Sequence, residues 1–145
     1  MENVIVSQVQ SLVNKDLPLI SNLSNVSALL NQLDNINWCG FYIAINKTLY
    51  LGPFQGEPAC TVIPLGKGVC GTAFKKKKTL IVDNVNEFEG HITCSDLSKS
   101  EIVVPIIKNG EVKAVIDIDS PLYNRFTKDD KMMLEEVGIL LAELF

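Results

Sequence analysis

No apolar run in this 145-residue sequence approaches the ~20 residues a helix needs to cross a bilayer, so no membrane role is expected. Basic charge is scarce: 13 Lys and Arg against 17 Asp and Glu leave a net charge of −4. Phosphate backbones call for a basic face, so nucleic acid is not an expected partner. Histidine occurs once, at position 91, and no two of the four cysteines are close enough for a C-x-x-C. That excludes the usual zinc spacings, and no metal ligand set is expected. The opening Met1-Glu2-Asn3-Val4 has neither the basic nor the apolar region of a secretory signal, and the expected compartment is the reducing cytosol. A permanent disulfide framework is not expected there. The cysteines are left with catalytic, redox or plainly buried roles.

What is present suffices for one domain spanning residues 1–145, because 47% apolar residues can fill a core without staples. Apolar spacing predicts a helix over residues 2–15, with Ile5, Val9, Leu12 and Val13 on one side, broken by Asp16-Leu17-Pro18. A second helix follows, its stripe made by Ile20, Leu23, Val26, Leu30 and Leu33. Trp38 to Ile45 reads as a strand, with Trp38, Gly40, Tyr42 and Ala44 on one face and Cys39, Phe41, Ile43 and Ile45 on the other. Cys39 therefore reads as a buried, inert thiol. After the Asn46-Lys47 turn, Thr48 to Leu51 is a short strand, and the Gly- and Pro-rich residues 52–60 are expected to be irregular. Cys60 then falls at a loop end or strand start, and Cys70 in another loop-like stretch.

The glycines of 66–71 lack the Walker spacing and its Lys-Ser/Thr end, so they read as a turn into a short helix rather than a phosphate loop. Lys75 to Lys78 reads as a solvated helix end. Leu80-Ile81-Val82 is a strand. Glu101 to Ile107 and Val112 to Ser120 form a hairpin joined by Asn109-Gly110, with Pro105 marking a bulge or an unpaired edge. Thr127 caps a last helix with the stripe Met133, Val137, Leu140, Leu141 and Leu144. The sum is an α+β or α/β layer structure of about five or six antiparallel strands, helices gathered mainly on one side.

The chemistry-bearing residues gather in the later half. Residues 90–101 form a polar loop that carries Cys94 and His91 and ends on Glu101. A loop cysteine among Ser95, Asp96 and Ser98 is reachable, and His91 is near enough in sequence to favour its thiolate, although a structural role for His91 fits a residue with no third partner. Asp117 and Asp119 project to one side of their strand. They are either a solvated edge or a pocket in which one carboxyl is protonated while its neighbour holds a cation. Glu101 opens the other arm of the hairpin and joins them if the register allows.

The words Asn37-Trp38-x-Gly40-Phe41-Tyr42, Leu51-Gly52-Pro53-Phe54-Gln55-Gly56-x-Pro58-Ala59-Cys60 and Gly66-x-Gly68-Val69-Cys70-Gly71 make the chain resemble the free methionine-(R)-sulfoxide reductases, small single-GAF-domain enzymes. Gly90-His91-Ile92-x-Cys94, Ser100-Glu101-Ile102-Val103-x-Pro105, Asp117-Ile118-Asp119-Ser120-Pro121 and Arg125-Phe126 continue the match. The resemblance implies an α+β GAF fold: a six-stranded antiparallel sheet with N- and C-terminal helices packed mainly on one face. It implies Cys94 as nucleophile, Cys60 as its resolving partner and Cys70 as a third thiol. It also implies substrate contacts from Glu101, Asp117, Asp119, Trp38 and Tyr42. The implied reaction takes free methionine (R)-sulfoxide through a Cys94 sulfenic acid and a Cys60–Cys94 disulfide, with thioredoxin as external reductant and no bound cofactor. A homodimer is the family expectation. Glu89 stands where the family usually has proline, Cys39 is extra, and Ala114 replaces a common glycine. The rival expectation is a GAF ligand-binding or thiol redox-sensor domain without turnover.

Overall fold

The computed structural model describes residues 2–91 and 97–145. Two helices, α1 (Glu2–Leu12) and α2 (Leu19–Leu30), precede three strands, β1 (Trp38–Ile45), β2 (Thr48–Gln55) and β3 (Val62–Pro64). Helix α3 (Gly68–Lys76), strand β4 (Leu80–Val82) and a 3-10 turn (Val85–Glu87) follow. The hairpin β5 (Ser100–Lys108) and β6 (Glu111–Ser120) and the helix α4 (Lys128–Ala142) complete the chain. The six strands form one sheet in the order β3-β2-β1-β6-β5-β4, with every neighbouring pair antiparallel.

Period-two alternation on the central strands decides what each face of the sheet buries. Cys39 and Phe41 of β1, Ile102, Val104 and Ile106 of β5, and Ala114, Ile116 and Ile118 of β6 form one face. Helices α1, α2 and α4 cover it through Val9, Leu23, Val26, Leu30, Leu134, Val137 and Leu141, all essentially inaccessible. Each such side chain contributes about 1.5–3 kcal/mol by leaving water, which makes this layer the main stabilising one. Trp38, Tyr42, Val103 and Val115 point to the opposite face, covered by α3 through Val69, Cys70, Ala73 and Phe74.

The hairpin forms as its turn demands: Asn109 and Gly110 take φ of 53° and 79°, the two positive values of a type I′ turn. Pro105 pairs with Val115 of β6 but lies beyond Val103, the last β5 residue paired with β4, so its missing N–H costs no ladder bond on that edge. Helix α4 starts on a capping box in which Thr127 and Asp130 satisfy each other's backbone N–H.

Three expectations need correction. Residues 52–55 are not irregular, because β2 continues to Gln55 and takes up Gly52 and Pro53 as a β-bulge opposite Phe41. The bulge accommodates the proline, and Gly40 lets Phe54 close in: a Cβ on Gly40 would lie 2.3 Å from that of Phe54. Cys70 is not on a loop but inside α3, buried to 4% exposure. Ile20 is not on the buried stripe of α2, being 66% exposed. Asn22 takes that side instead, tied to the backbone of Asn14 by two hydrogen bonds of 2.9 and 2.8 Å.

Candidate active site

Register places the three carboxylates. On the face away from α1, α2 and α4, Trp38 of β1 lies opposite Asp119 of β6, and Asp119 lies opposite Glu101 of β5. In the adjoining row Gly40, Asp117 and Val103 are aligned. Glu101, Asp117 and Asp119 thus converge on one small cavity, whose wall also includes Trp38, Tyr42 and Cys70. The solvated-edge reading of the aspartates is set aside: Asp117 is 5% exposed and Glu101 7%.

The aromatic wall is fixed by polar ties. The Trp38 indole lies stacked against Phe54 at 5.2 Å and Tyr42 at 5.9 Å between ring centres. Its Nε1 donates to the Glu57 carbonyl at 3.0 Å. Gly56 allows the loop to cross the indole, since a Cβ there would lie 2.6 Å from Trp38 Cδ1 and its φ is +135°. The Tyr42 hydroxyl donates to the Cys60 carbonyl at 2.8 Å, which brings the Cys60 segment to the rim. Cys60 is disulfide-bonded, while Cys39 and Cys70 are free thiols. Cys94 lies outside the described residues.

Burial, followed by the charges of Asp117 and Asp119, pushes the Glu101 carboxyl well above the ordinary carboxylate range. Burial and the charge of Asp117 do the same to Asp119. Burial also raises Asp117, but hydrogen bonds with Glu101, Cys70 and Asp119 favour its ionised form. Of the three, Asp117 is therefore the carboxyl most favoured to ionise, and Glu101 and Asp119 are more favoured to hold their protons. Cys70 and Tyr42 are held protonated, first by burial and then by Asp117. Cys39 is likewise pushed up by burial, and as expected it is an inert thiol in the apolar layer. His91 also lines the cavity, where burial lowers its pKa and the charge of Asp117 partly offsets this.

Two polar residues were not singled out from the sequence. Ser98 Oγ donates to Asp119 Oδ2 at 3.2 Å and accepts from Asn37 Nδ2 at 3.1 Å. This leaves Asp119 Oδ1 and Asp117 Oδ1 buried without partners. Buried polar atoms are rarely left so, and two in one cavity mark where ligand atoms belong. Asn37 opens one of the sequence words quoted above, but only the pairing of β1 with β6 brings it to Ser98.

This arrangement can hold a cation, donate a proton from a carboxyl, and present an aromatic wall to an apolar group. The chain belongs to the GAF domain family, which matches residues 16–144. Within that family it is closely related to free methionine-R-sulfoxide reductases. The free methionine-R-sulfoxide reductase of Saccharomyces cerevisiae is 49% identical over 131 residues, covering 84% of this chain and 73% of the yeast protein. That of Escherichia coli is 43% identical over 135 residues, covering 92% of this chain and 80% of the bacterial one. The structure of fRMsr of Staphylococcus aureus in complex with substrate superposes with a TM-score of 0.92 at 47% identity, over 99% of this chain and 94% of that one. No helix among the described residues is long and apolar enough to cross a membrane.

Proposed function

We propose that this chain reduces free methionine-R-sulfoxide to methionine in the cavity walled by Trp38, Tyr42, Glu101, Asp117 and Asp119. The observation that carries the reading is the pair of unpartnered buried oxygens on Asp117 and Asp119 beside a stacked indole. The charged Asp117 accepts the substrate ammonium, a requirement that a peptide-bound residue does not meet. The methyl group packs on Trp38. Ser98 occupies Asp119 Oδ2, so the proton on Oδ1 is free to be donated to the sulfoxide oxygen, making the sulfur electrophilic.

Chemistry then passes to the thiols. Cys94 attacks the sulfoxide sulfur while the oxygen takes the Asp119 proton; the Cys94 thiol proton restores that carboxyl, methionine leaves as the thioether, and Cys94 carries the oxygen with its one proton as sulfenic acid. Cys60 attacks Cys94, expelling water and closing a Cys60–Cys94 disulfide. A thioredoxin-type dithiol reopens it by exchange, becoming oxidised itself. The disulfide state of Cys60 and the resemblance support this pairing. Burial of Cys70 inside α3 supports a role for it outside the exchange.

The test is turnover with a thioredoxin-type reductant on both sulfoxide epimers, free and in a peptide. Methionine should form only from the free R epimer. Equal rates on the peptide-bound form would remove the ammonium site from the account.

A further inference from the structure

The exchange proposed above leaves Cys70 without work, yet its thiol stands inside the acidic cavity. Cys70 Sγ lies 4.0 Å from Glu101 Oε2, and one donor atom each from Cys70, Glu101 and Asp117 lie within 4.8 Å of one another. A separate observation points the same way: Asp117 is 95% buried, by its 5% exposure, and its Oδ1 has no partner. The three donors come from α3, β5 and β6, so no sequence spacing announces them.

We propose that Cys70, Glu101 and Asp117 form a binding site for a thiophilic divalent cation, Zn²⁺ or Cd²⁺, whose occupation shuts the cavity to substrate. One sulfur and two carboxylate oxygens suit neither Mg²⁺ nor Ca²⁺, which take oxygen ligands only, but fit a borderline or soft ion. Zinc holds thiolate at about 2.3 Å and carboxylate at about 2.0–2.2 Å, which puts tetrahedral ligands roughly 3.5 Å apart. From separations of up to 4.8 Å the donors must close by about 1 Å around Zn²⁺, and by less around the larger Cd²⁺. Binding changes no oxidation state. The thiol proton of Cys70 and the carboxyl proton of Glu101 pass to solvent, and one thiolate with two carboxylates faces the 2+ ion. Asp117 is then unavailable to an incoming ammonium, and the ion takes up space in the same cavity.

The cation site stands on the geometry alone. Only the inhibition rests on the proposed reductase reading, and the two are measured separately. In a Cys60→Ser, Cys94→Ser double variant, Cys39 and Cys70 are the thiols that remain. Titrating it with Cd²⁺ should raise one equivalent of the ultraviolet thiolate-to-cadmium charge-transfer absorbance. Adding Cys70→Ser should abolish the band, and adding Glu101→Gln instead should weaken Cd²⁺ binding at least tenfold with the thiol intact. The same titration on the wild-type disulfide form guards against a double variant that fails to fold. Absence of the band in both backgrounds, or its survival after Cys70→Ser, overturns the site. In turnover, Zn²⁺ should raise the apparent KM for methionine sulfoxide without lowering kcat, and a chelator should reverse it. A cadmium band without any effect on KM would overturn the shutting of the cavity while leaving the site.

Discussion

The two faces of the sheet are made by the same strands and do opposite work. Ile116 and Ile118 of β6 enter a dry layer under three helices, while Asp117 and Asp119, interleaved with them, enter a cavity under one short helix. Two cysteines mark the same contrast. Cys39 and Cys70 are both buried free thiols with raised pKa values. Cys39 is surrounded by apolar side chains, whereas Cys70 faces carboxylates. The difference shows that burial alone does not make a site. The cavity face keeps polar atoms unpaired, and that is where stability is given up for chemistry.

The contrast breaks most severely at the proposed nucleophile. Cys94→Ser should form no methionine even in a single turnover, read by chromatography of the product. Cys39→Ser should keep kcat/KM unchanged and lose about 1–3 kcal/mol of stability from a buried hydroxyl in denaturant unfolding. Comparable loss of activity in both would erase the distinction between the faces.

Removing the proton donor comes next. Asp119→Asn should lower kcat/KM by about 100-fold or more, the range of a general acid. Because the carboxyl is raised well above its ordinary 3.8, wild-type activity should persist above that value and fall as pH rises through the shifted one. An unchanged rate in Asp119→Asn would take the carboxyl out of the reaction.

On the dry face, Phe41→Ala should cost about 3–5 kcal/mol with little change in the KM of the molecules that remain folded. The smallest effect has the opposite sign and lies on the cavity face. The folded-state pKa of Glu101 is raised above its ordinary 4.5, so its contribution to stability is fully present below that value and is lost as pH rises through the folded pKa. Glu101→Gln removes that loss. Its Tm should exceed that of the wild type, by roughly 2–4 °C for each kcal/mol regained, with a gap wider at pH 8 than at pH 5. A constant gap would show that Glu101 does not change its charge on folding.

Much of this was legible before any coordinates. Alternation of β1 and β6 sorted both faces, Asn109-Gly110 fixed the hairpin turn, and Thr127 located the start of α4. Glu101 joined the aspartates only through register, because pairing partners 18 residues apart (119 − 101) cannot be read from either strand alone. The length of β2 was missed because Gly52 and Pro53 are turn residues in isolation, and only the bulge against Phe41 tolerates them. Cys70 looked loop-like because its glycine neighbours hide a helix. One of those glycines is required by close approach: a Cβ on Gly71 would meet the Pro64 carbonyl oxygen at 2.6 Å. Ser98 stands in the sequence only as a polar neighbour of Cys94 and Asn37 only as the first residue of a sequence word, and neither place shows their hydrogen bonds to each other and to Asp119.

The most direct test is one turnover of the reduced protein with free methionine-R-sulfoxide, quenched in acid and mapped by mass spectrometry after alkylation of free thiols. The account predicts one methionine released per chain, a Cys60–Cys94 disulfide, and alkylated Cys39 and Cys70. A disulfide that includes Cys70, or methionine released with Cys94 still alkylated, would contradict it.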